Sequence, residues 1–190
     1  MPAAPDSVRA SEYGQNRLVT VNISIRRTRE GDWEEYRALR LEMLADTPSA
    51  FAETLANAQG RDEAEWRMRA ARGEASDQVL VIAIDNSSGR WVGSMGGFIA
   101  SGPDVTGPLL VGVYVSPDFR GRSLGVAAAM LSEVEAWAAT IDRMLHLHVH
   151  EDNPRALAFY QRSGYRLTGK TEPYVLNPQQ RELEMVKELR

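Results

Sequence analysis

The sequence predicts a mixed α/β fold of the α+β kind: one mostly antiparallel sheet with helices on both faces and a single parallel strand pair. Three observations lead there. Val79 to Ile84 and Trp91 to Ile99 are strand-like runs joined by the turn-forming Asp85-Asn86-Ser87-Ser88-Gly89, the signal of an antiparallel hairpin. Leu109-Leu110-Val111-Gly112-Val113-Tyr114-Val115 is apolar on both faces, as in a strand covered from each side. From that run onward the pattern is strand, helix, strand, helix, which implies a parallel pair joined by a right-handed crossover.

The elements follow in chain order. Residues 1–20 are polar, contain Pro2, Pro5 and Gly14 and hold no apolar stretch of a secretion signal, so they read as a flexible tail before a domain over 21–190. Val21-Asn22-Ile23-Ser24-Ile25-Arg26 alternates with period two and predicts the first strand. Asp32 is placed to cap a helix running to about Leu44, with Trp33, Tyr36, Leu39 and Met43 at helical spacing and Pro48 beyond its end. Asp62-Glu63-Ala64-Glu65 has the form of a capping box, opening a helix that carries Trp66 and Met68 and closes at Gly73. The hairpin and the buried strand come next. Ser123 to Ala139 is helical, its stripe made by Leu124, Ala127, Ala128, Leu131, Val134 and Ala138. Leu145, Leu147 and Val149 mark a further strand, Asn153-Pro154 caps and starts a helix, and Gly164 ends it. Tyr165 to Thr168 and Leu183 to Val186 read as closing strands.

Composition narrows the function. The 190 residues are 43% apolar and 25% charged, enough for one packed core and incompatible with a wholly disordered chain. Lys and Arg number 22 against 26 Asp and Glu, so the net charge is −4. A nucleic-acid binder shows the opposite excess, although a local arginine cluster remains open to an anionic ligand. Cysteine is absent, which removes disulfides, thiolate nucleophiles and Cys-ligated zinc and fits a reducing, cytoplasmic setting. The longest apolar run, Leu109 to Val115, is far short of the roughly 20 residues that span a bilayer, so no membrane partner is expected.

The informative segment is Val113-Tyr114-Val115-Ser116-Pro117-Asp118-Phe119-Arg120-Gly121-Arg122-Ser123-Leu124-Gly125. A buried strand ends in an Arg- and Gly-bearing turn that opens directly into a helix. Free amides at a helix start and the helix dipole favour an anion, and Gly121 and Gly125 permit close approach to the backbone. Arg120 and Arg122 add charge. The plain alternative is a strand-to-helix turn with exposed arginines.

The segment resembles the acetyl-CoA-binding motif of the GNAT superfamily of N-acetyltransferases, Arg/Gln-x-x-Gly-x-Gly/Ala, carried here by Arg120, Ser123 and Gly125. Downstream, Asn153-Pro154-Arg155-Ala156-Leu157-Ala158-Phe159-Tyr160-Gln161-Arg162-Ser163-Gly164-Tyr165 is similar to the family signature Asn-x-x-Ala-x-x-x-Tyr-x-x-x-Gly-Phe/Tyr. The two motifs stand in the family's order and separation. Ser123 departs from the pattern, placing a Cβ and a hydroxyl where the family prefers Gly.

The resemblance implies direct acetyl transfer from acetyl-CoA, as cosubstrate and without a metal, to a primary amine on a small molecule or a protein N-terminus. It also implies that the parallel pair splays apart. Backbone amides near Val113, Tyr114 and Val115 would hold the pantetheine and the thioester oxygen. Those of Arg120, Gly121, Arg122, Ser123, Leu124, Gly125 and Val126 would hold the pyrophosphate. Asn153 caps its helix and, by the resemblance, also touches the cofactor. Tyr160 reads either as helix packing beside Phe159 or, as in the family, as the acid that protonates the leaving thiolate.

The base that takes the amine proton is less evident. Leu109 and Leu110 stand where many members carry a Glu. In members that acetylate ribosomal-protein N-termini, the Glu lies five residues before the Asn, and His148 occupies that place. His146, His148 and His150 alternate and so share one strand face. They read as polar face residues, as a poorly converging metal set, or with His148 as base; Glu53 and Glu151 are the fallbacks. The segments 47–60 and 172–180 are expected to border the acceptor, and the net charge mildly favours a cationic one. A homodimer is left open. The competing reading is a non-catalytic acyl-CoA-binding sensor or interaction module.

Overall fold

Alternating side chains decide which face of the sheet each helix covers. The structure, a computed structural model, describes residues 22–102, 105–121 and 123–190; the expected tail, Val21 and Arg122 lie outside the described residues. Its strands are β1 (Ile23–Arg27), β2 (Gln78–Asp85), β3 (Trp91–Ser101), β4 (Thr106–Val115), β5 (Met144–His150), β6 (Arg166–Tyr174) and β7 (Asn177–Glu188). The helices are α1 (Trp33–Asp46), α2 (Leu55–Gln59), α3 (Glu63–Ala70), α4 (Val126–Ala138) and α5 (Pro154–Arg162). One seven-stranded sheet runs in the order β1-β2-β3-β4-β5-β7-β6. Within it only β4 and β5 pair in parallel.

On β2, Val79, Val81 and Ala83 join the core formed with Met130, Val134 and Trp137 of α4. Leu80 and Ile82, one residue out of phase, pack with Tyr36, Leu39 and Met43 of α1 and Trp66 of α3. The expected helices on both faces are therefore present, and period-two alternation sorts the residues between two cores. Two expected caps are in place: Asp62 accepts from the Glu65 amide at 2.9 Å, and Asn153 Oδ1 accepts from the Ala156 amide at 3.0 Å.

Differences lie at the edges of elements. Helix α4 starts at Val126 rather than Ser123, because Gly125 adopts φ 67° and turns the chain before the helix can begin. The short α2, capped by the Thr54 hydroxyl accepting from the Asn57 amide at 3.2 Å, has too few residues to show a period. Strands β6 and β7 run longer than expected, closing in a turn at Val175 and Leu176. The added stretches, Gly169 to Pro173 and Asn177 to Glu182, are mostly polar and give no hydrophobic alternation to read, although the tip itself exposes Val175 and Leu176.

The feature that positions the site is a bulge in β4. Ser94 faces Tyr114 and Gly96 faces Val111, so β4 advances three residues where β3 advances two. Gly112 takes up the excess at φ 63°, in the left-handed region that favours glycine. The parallel ladder between β4 and β5 holds only at Leu109–His146 and Leu110–Leu147. Beyond Leu110 the two strands part, giving the expected splay.

Candidate active site

The splay opens a cleft of about 560 Å³ between β4, β5, the turn before α4, and α5. Among the residues expected at the site, Val113, Tyr114, Val115, Arg120, Gly121, Gly125, His148, Asn153 and Tyr160 all line it. The Tyr114 side chain points away into the α1 core, its hydroxyl donating to Glu42 at 3.1 Å, so that residue offers the cleft its backbone. The carboxylate beside it and burial raise the Tyr114 phenol to about 12. Leu124 and Val126 pack inward and the Ser123 side chain is exposed, and none of these three lines the cleft.

The turn from Arg120 to Gly125 is open where an anion would sit. Gly121 at φ 125° and Gly125 at φ 67° each adopt a backbone that side chains rarely tolerate, and a Cβ on either would meet nothing within 4 Å. Amides of the first turn of α4 have no partner within the helix itself. Arg120 is spent differently from the sequence reading. Its Nε donates to the Val115 carbonyl at 2.7 Å, its Nη2 pairs with Asp46, and its guanidinium lies 5.4 Å from the Tyr114 ring. It fastens the turn to α1, and Asp46 answers its charge. Arg155 and Arg162 on α5 line the same cleft and went unremarked in the sequence, where they are indistinguishable from a solvated helix face.

Tyr160 is buried, with its ring 5.3 Å from Phe159 and 5.7 Å from Tyr165. Desolvation pushes its phenol well above the ordinary value of 10, and its hydroxyl makes no hydrogen bond to any described residue.

The three histidines separate in role. Leu145, Leu147 and Val149 face the α4 core, so the histidines share the opposite face, as expected. His146 Nδ1 is 3.1 Å from Glu184, a buried carboxyl that also accepts from the Thr168 hydroxyl at 2.5 Å. These bonds hold Glu184 below the ordinary carboxyl range although burial works the other way. His150 Nδ1 accepts from the Asp152 amide at 3.2 Å, and its ring packs edge-on to Tyr174. His148 Nδ1 is 3.7 Å from Glu172, and the buried Nε2 atoms of both His148 and His150 have no partner among the described residues; of the three, only His148 lines the cavity on each side of the bulge.

A second cavity, about 480 Å³, lies on the α1–α3 side. Leu110, Val111, Gly112, His148 and Glu182 line both spaces, so the bulge and the histidine form their common wall. Glu182 sits where sequence gave no sign of it. Burial, with Glu172 nearby, raises its carboxyl above the ordinary range, and His148 and His150 work against that. Of the expected border segments, 47–60 supplies Phe51, Glu53 and Asn57 to the lining, whereas 172–180 supplies none and reaches it only through the Tyr174 hydroxyl donating to the Phe51 carbonyl at 2.9 Å. Glu53 is no free base. Arg40, Arg61 and Arg69 all bond its carboxylate and hold it below the ordinary value of 4.5 against the effect of burial. Glu151 is exposed and accepts from the Arg181 amide at 2.8 Å, lining neither cavity.

The site is thus a bulged strand parting from its parallel neighbour over an open glycine turn at a helix start. Residues 34–165 match the Acetyltransferase (GNAT) family, and the chain belongs to that family. A curated relative, the peptidyl-lysine N-acetyltransferase YjaB of Salmonella typhimurium, is 34% identical over 68 residues. That match covers 36% of this chain and 43% of the relative, so the chain spans less than half of that protein's length. Among solved structures, a GNAT-family acetyltransferase from Streptococcus pneumoniae superposes with TM-score 0.72 at 19% identity, covering 89% of this chain and all of that one. A phosphinothricin acetyltransferase from Sinorhizobium meliloti, in complex with acetyl-CoA, gives TM-score 0.69 at 19% identity over 88% of each chain. Among the described residues no helix is long and apolar enough to cross a membrane.

Proposed function

We propose that this protein transfers the acetyl group of acetyl-CoA to a primary amine by direct attack. The observation that carries the reading is the common wall: two cavities meet at the bulge of β4 and at His148, one with a phosphate-type turn and the other open to an acceptor. The glycine turn and the start of α4 would hold the pyrophosphate. The backbone of Val113 to Val115 would hold the pantetheine arm and donate to the thioester oxygen, an arrangement worth several kcal/mol wherever such donors are preorganised. CoA supplies the activated acetyl group; the chain supplies position and proton traffic.

The amine nitrogen bonds to the acetyl carbon as the carbon–sulfur bond breaks. His148 Nε2 takes the proton that the amine must lose, and the Tyr160 hydroxyl gives a proton to the departing sulfur. Free acceptor and acetyl-CoA thus become N-acetylated product and CoA with protons balanced. The lack of cysteine suits the cytoplasm, where this thioester is available.

The test is thiol release from acetyl-CoA across a panel of primary amines. Release that depends on the amine supports the reading. CoA binding with no release against any amine would leave a binding module instead.

A further inference from the structure

The acceptor-side cavity carries a charge pattern that neither motif predicts. Its lining holds Arg40, Arg61, Arg69 and Arg72 against two carboxylates, Glu53 and Glu182. Glu53 is saturated: Arg40 Nη2 stands 2.9 Å, Arg61 Nη2 2.8 Å and Arg69 Nη2 3.2 Å from its oxygens. Glu53 answers three guanidiniums, of which, among the described residues, only Arg61 has a second carboxylate, Glu65 at 2.5 Å. The aromatic rings of Phe51 and Trp66 back Arg40 and Arg69 at 4.8 and 5.8 Å, fixing them in place.

Arg72 is the exception. It is half-buried on the same wall, and its guanidinium makes no hydrogen bond or ion pair to any described residue. Burial lowers its pKa, as do Arg69 and Arg40 beside it, while Tyr36 and the charge of Glu53 work the other way. A guanidinium stays charged in proteins, and withdrawing a cation from water without a counter-ion is unfavourable. Its five donors match a carboxylate or phosphonate oxygen set. The four arginines line only this cavity, whereas Glu182 and His148 stand on the wall shared with the acetyl-CoA cleft. The cavity is therefore cationic away from the transfer point and acidic or proton-accepting at it.

We infer that the acceptor is a small zwitterion, with a primary amine that meets His148 and Glu182 and a carboxylate or phosphonate that meets Arg72 and its neighbouring arginines. A volume of about 480 Å³ suits a small molecule. The inference rests on the acetyl-transfer reading, and it reverses the expectation from net charge, since the local field here opposes the −4 of the whole chain.

The experiment measures binding and turnover separately on the full chain with CoA present. Calorimetry compares ω-amino carboxylates of increasing length, and an ω-aminoalkyl phosphonate, with n-alkylamines of the same length. The best anionic amine should bind at least about tenfold more tightly than its alkylamine, a difference of about 1.4 kcal/mol. Arg72→Met should erase that preference and Arg72→Lys should keep part of it, with the CoA-induced rise in Tm reporting that both variants are folded. Equal binding of the two ligand series by the wild type, or a preference that survives Arg72→Met, overturns the inference. Preferential binding without CoA release from acetyl-CoA would instead overturn acetyl transfer and leave the anion site standing. Carboxylate against phosphonate preference identifies which anion the site takes.

Discussion

The proton roles proposed for Tyr160 and His148 can each be tested atom by atom. Burial raises the Tyr160 phenol, so the proton-bearing form persists as pH climbs through the ordinary tyrosine value of 10. The rate should therefore show no loss of the acid on that limb. Tyr160→Phe keeps the ring between Phe159 and Tyr165 and removes only the proton, so kcat should drop roughly 10²–10⁴-fold while the CoA-induced rise in Tm is retained. Single-turnover kinetics beside a thermal shift check this, and a variant that keeps most of its rate reduces Tyr160 to packing. His148→Ala should cost about 10²-fold in kcat/KM. His146→Ala should not, since its Nδ1 is committed to Glu184. A His148→Ala protein that keeps its kcat/KM would pass the role to Glu182, whose carboxyl is raised and lines both cavities. Tyr160, Asn153 and His148 were readable because they sit at fixed offsets inside one strand–helix unit. Glu182 and the arginines were not, because they reach the site from strands and helices far apart in the chain.

At the scale of elements, glycines do what helix and strand propensities cannot. Gly112 and Gly125 stand at φ 63° and 67°, and a Cβ on either would meet nothing within 4 Å. An alanine there is penalised by the backbone alone, about 1–2 kcal/mol for a left-handed conformation. Gly125→Ala also places a methyl where the phosphates are expected, so it should weaken CoA binding far more than it lowers the Tm of the ligand-free protein. Calorimetry with CoA, set beside a thermal melt, separates the two effects. A Gly125→Ala protein that binds CoA normally would move the phosphate site elsewhere. The long apolar strand β4 and the caps Asp62 and Asn153 were legible from period and cap chemistry, but Asp32 stands before α1 without capping it. The buried stripe of α4 keeps Leu131, Val134 and Ala138 while taking Val126, Met130 and Trp137 in place of Leu124, Ala127 and Ala128. The bulge was signalled only by a lone glycine within a strand run, a cue that also fits simple backbone crowding. Helix α2 was hidden because five residues are too few to show a period.

Across the molecule, Glu53 joins parts that sequence separates. Through Arg40, Arg61 and Arg69 it ties the segment after α1 to α1 itself and to α3, beside the acceptor cavity. Its carboxyl is held below 4.5, so the stability it contributes is present above that pH and is lost as pH falls through the lowered value. Glu53→Gln leaves three guanidiniums facing a neutral amide and should lower stability by about 3 kcal/mol, with its largest deficit at neutral pH and a shrinking one in acid. Urea melts across that range measure the difference; a deficit that does not shrink in acid would deny Glu53 its charge. The parting of β4 from β5 bears on the molecule in another way. The sheet is continuous in order but joined at its centre by two residue pairs, so it behaves as a four-stranded and a three-stranded plate sharing a narrow seam. From Val111 to Val115 one edge of β4 has no strand beside it among the described residues, so the backbone groups on that edge lack a ladder partner. An extended ligand carrying amides of its own would serve as the absent neighbour. Amide exchange along that edge should slow sharply once CoA is bound, making the cosubstrate a temporary strand in the middle of the fold.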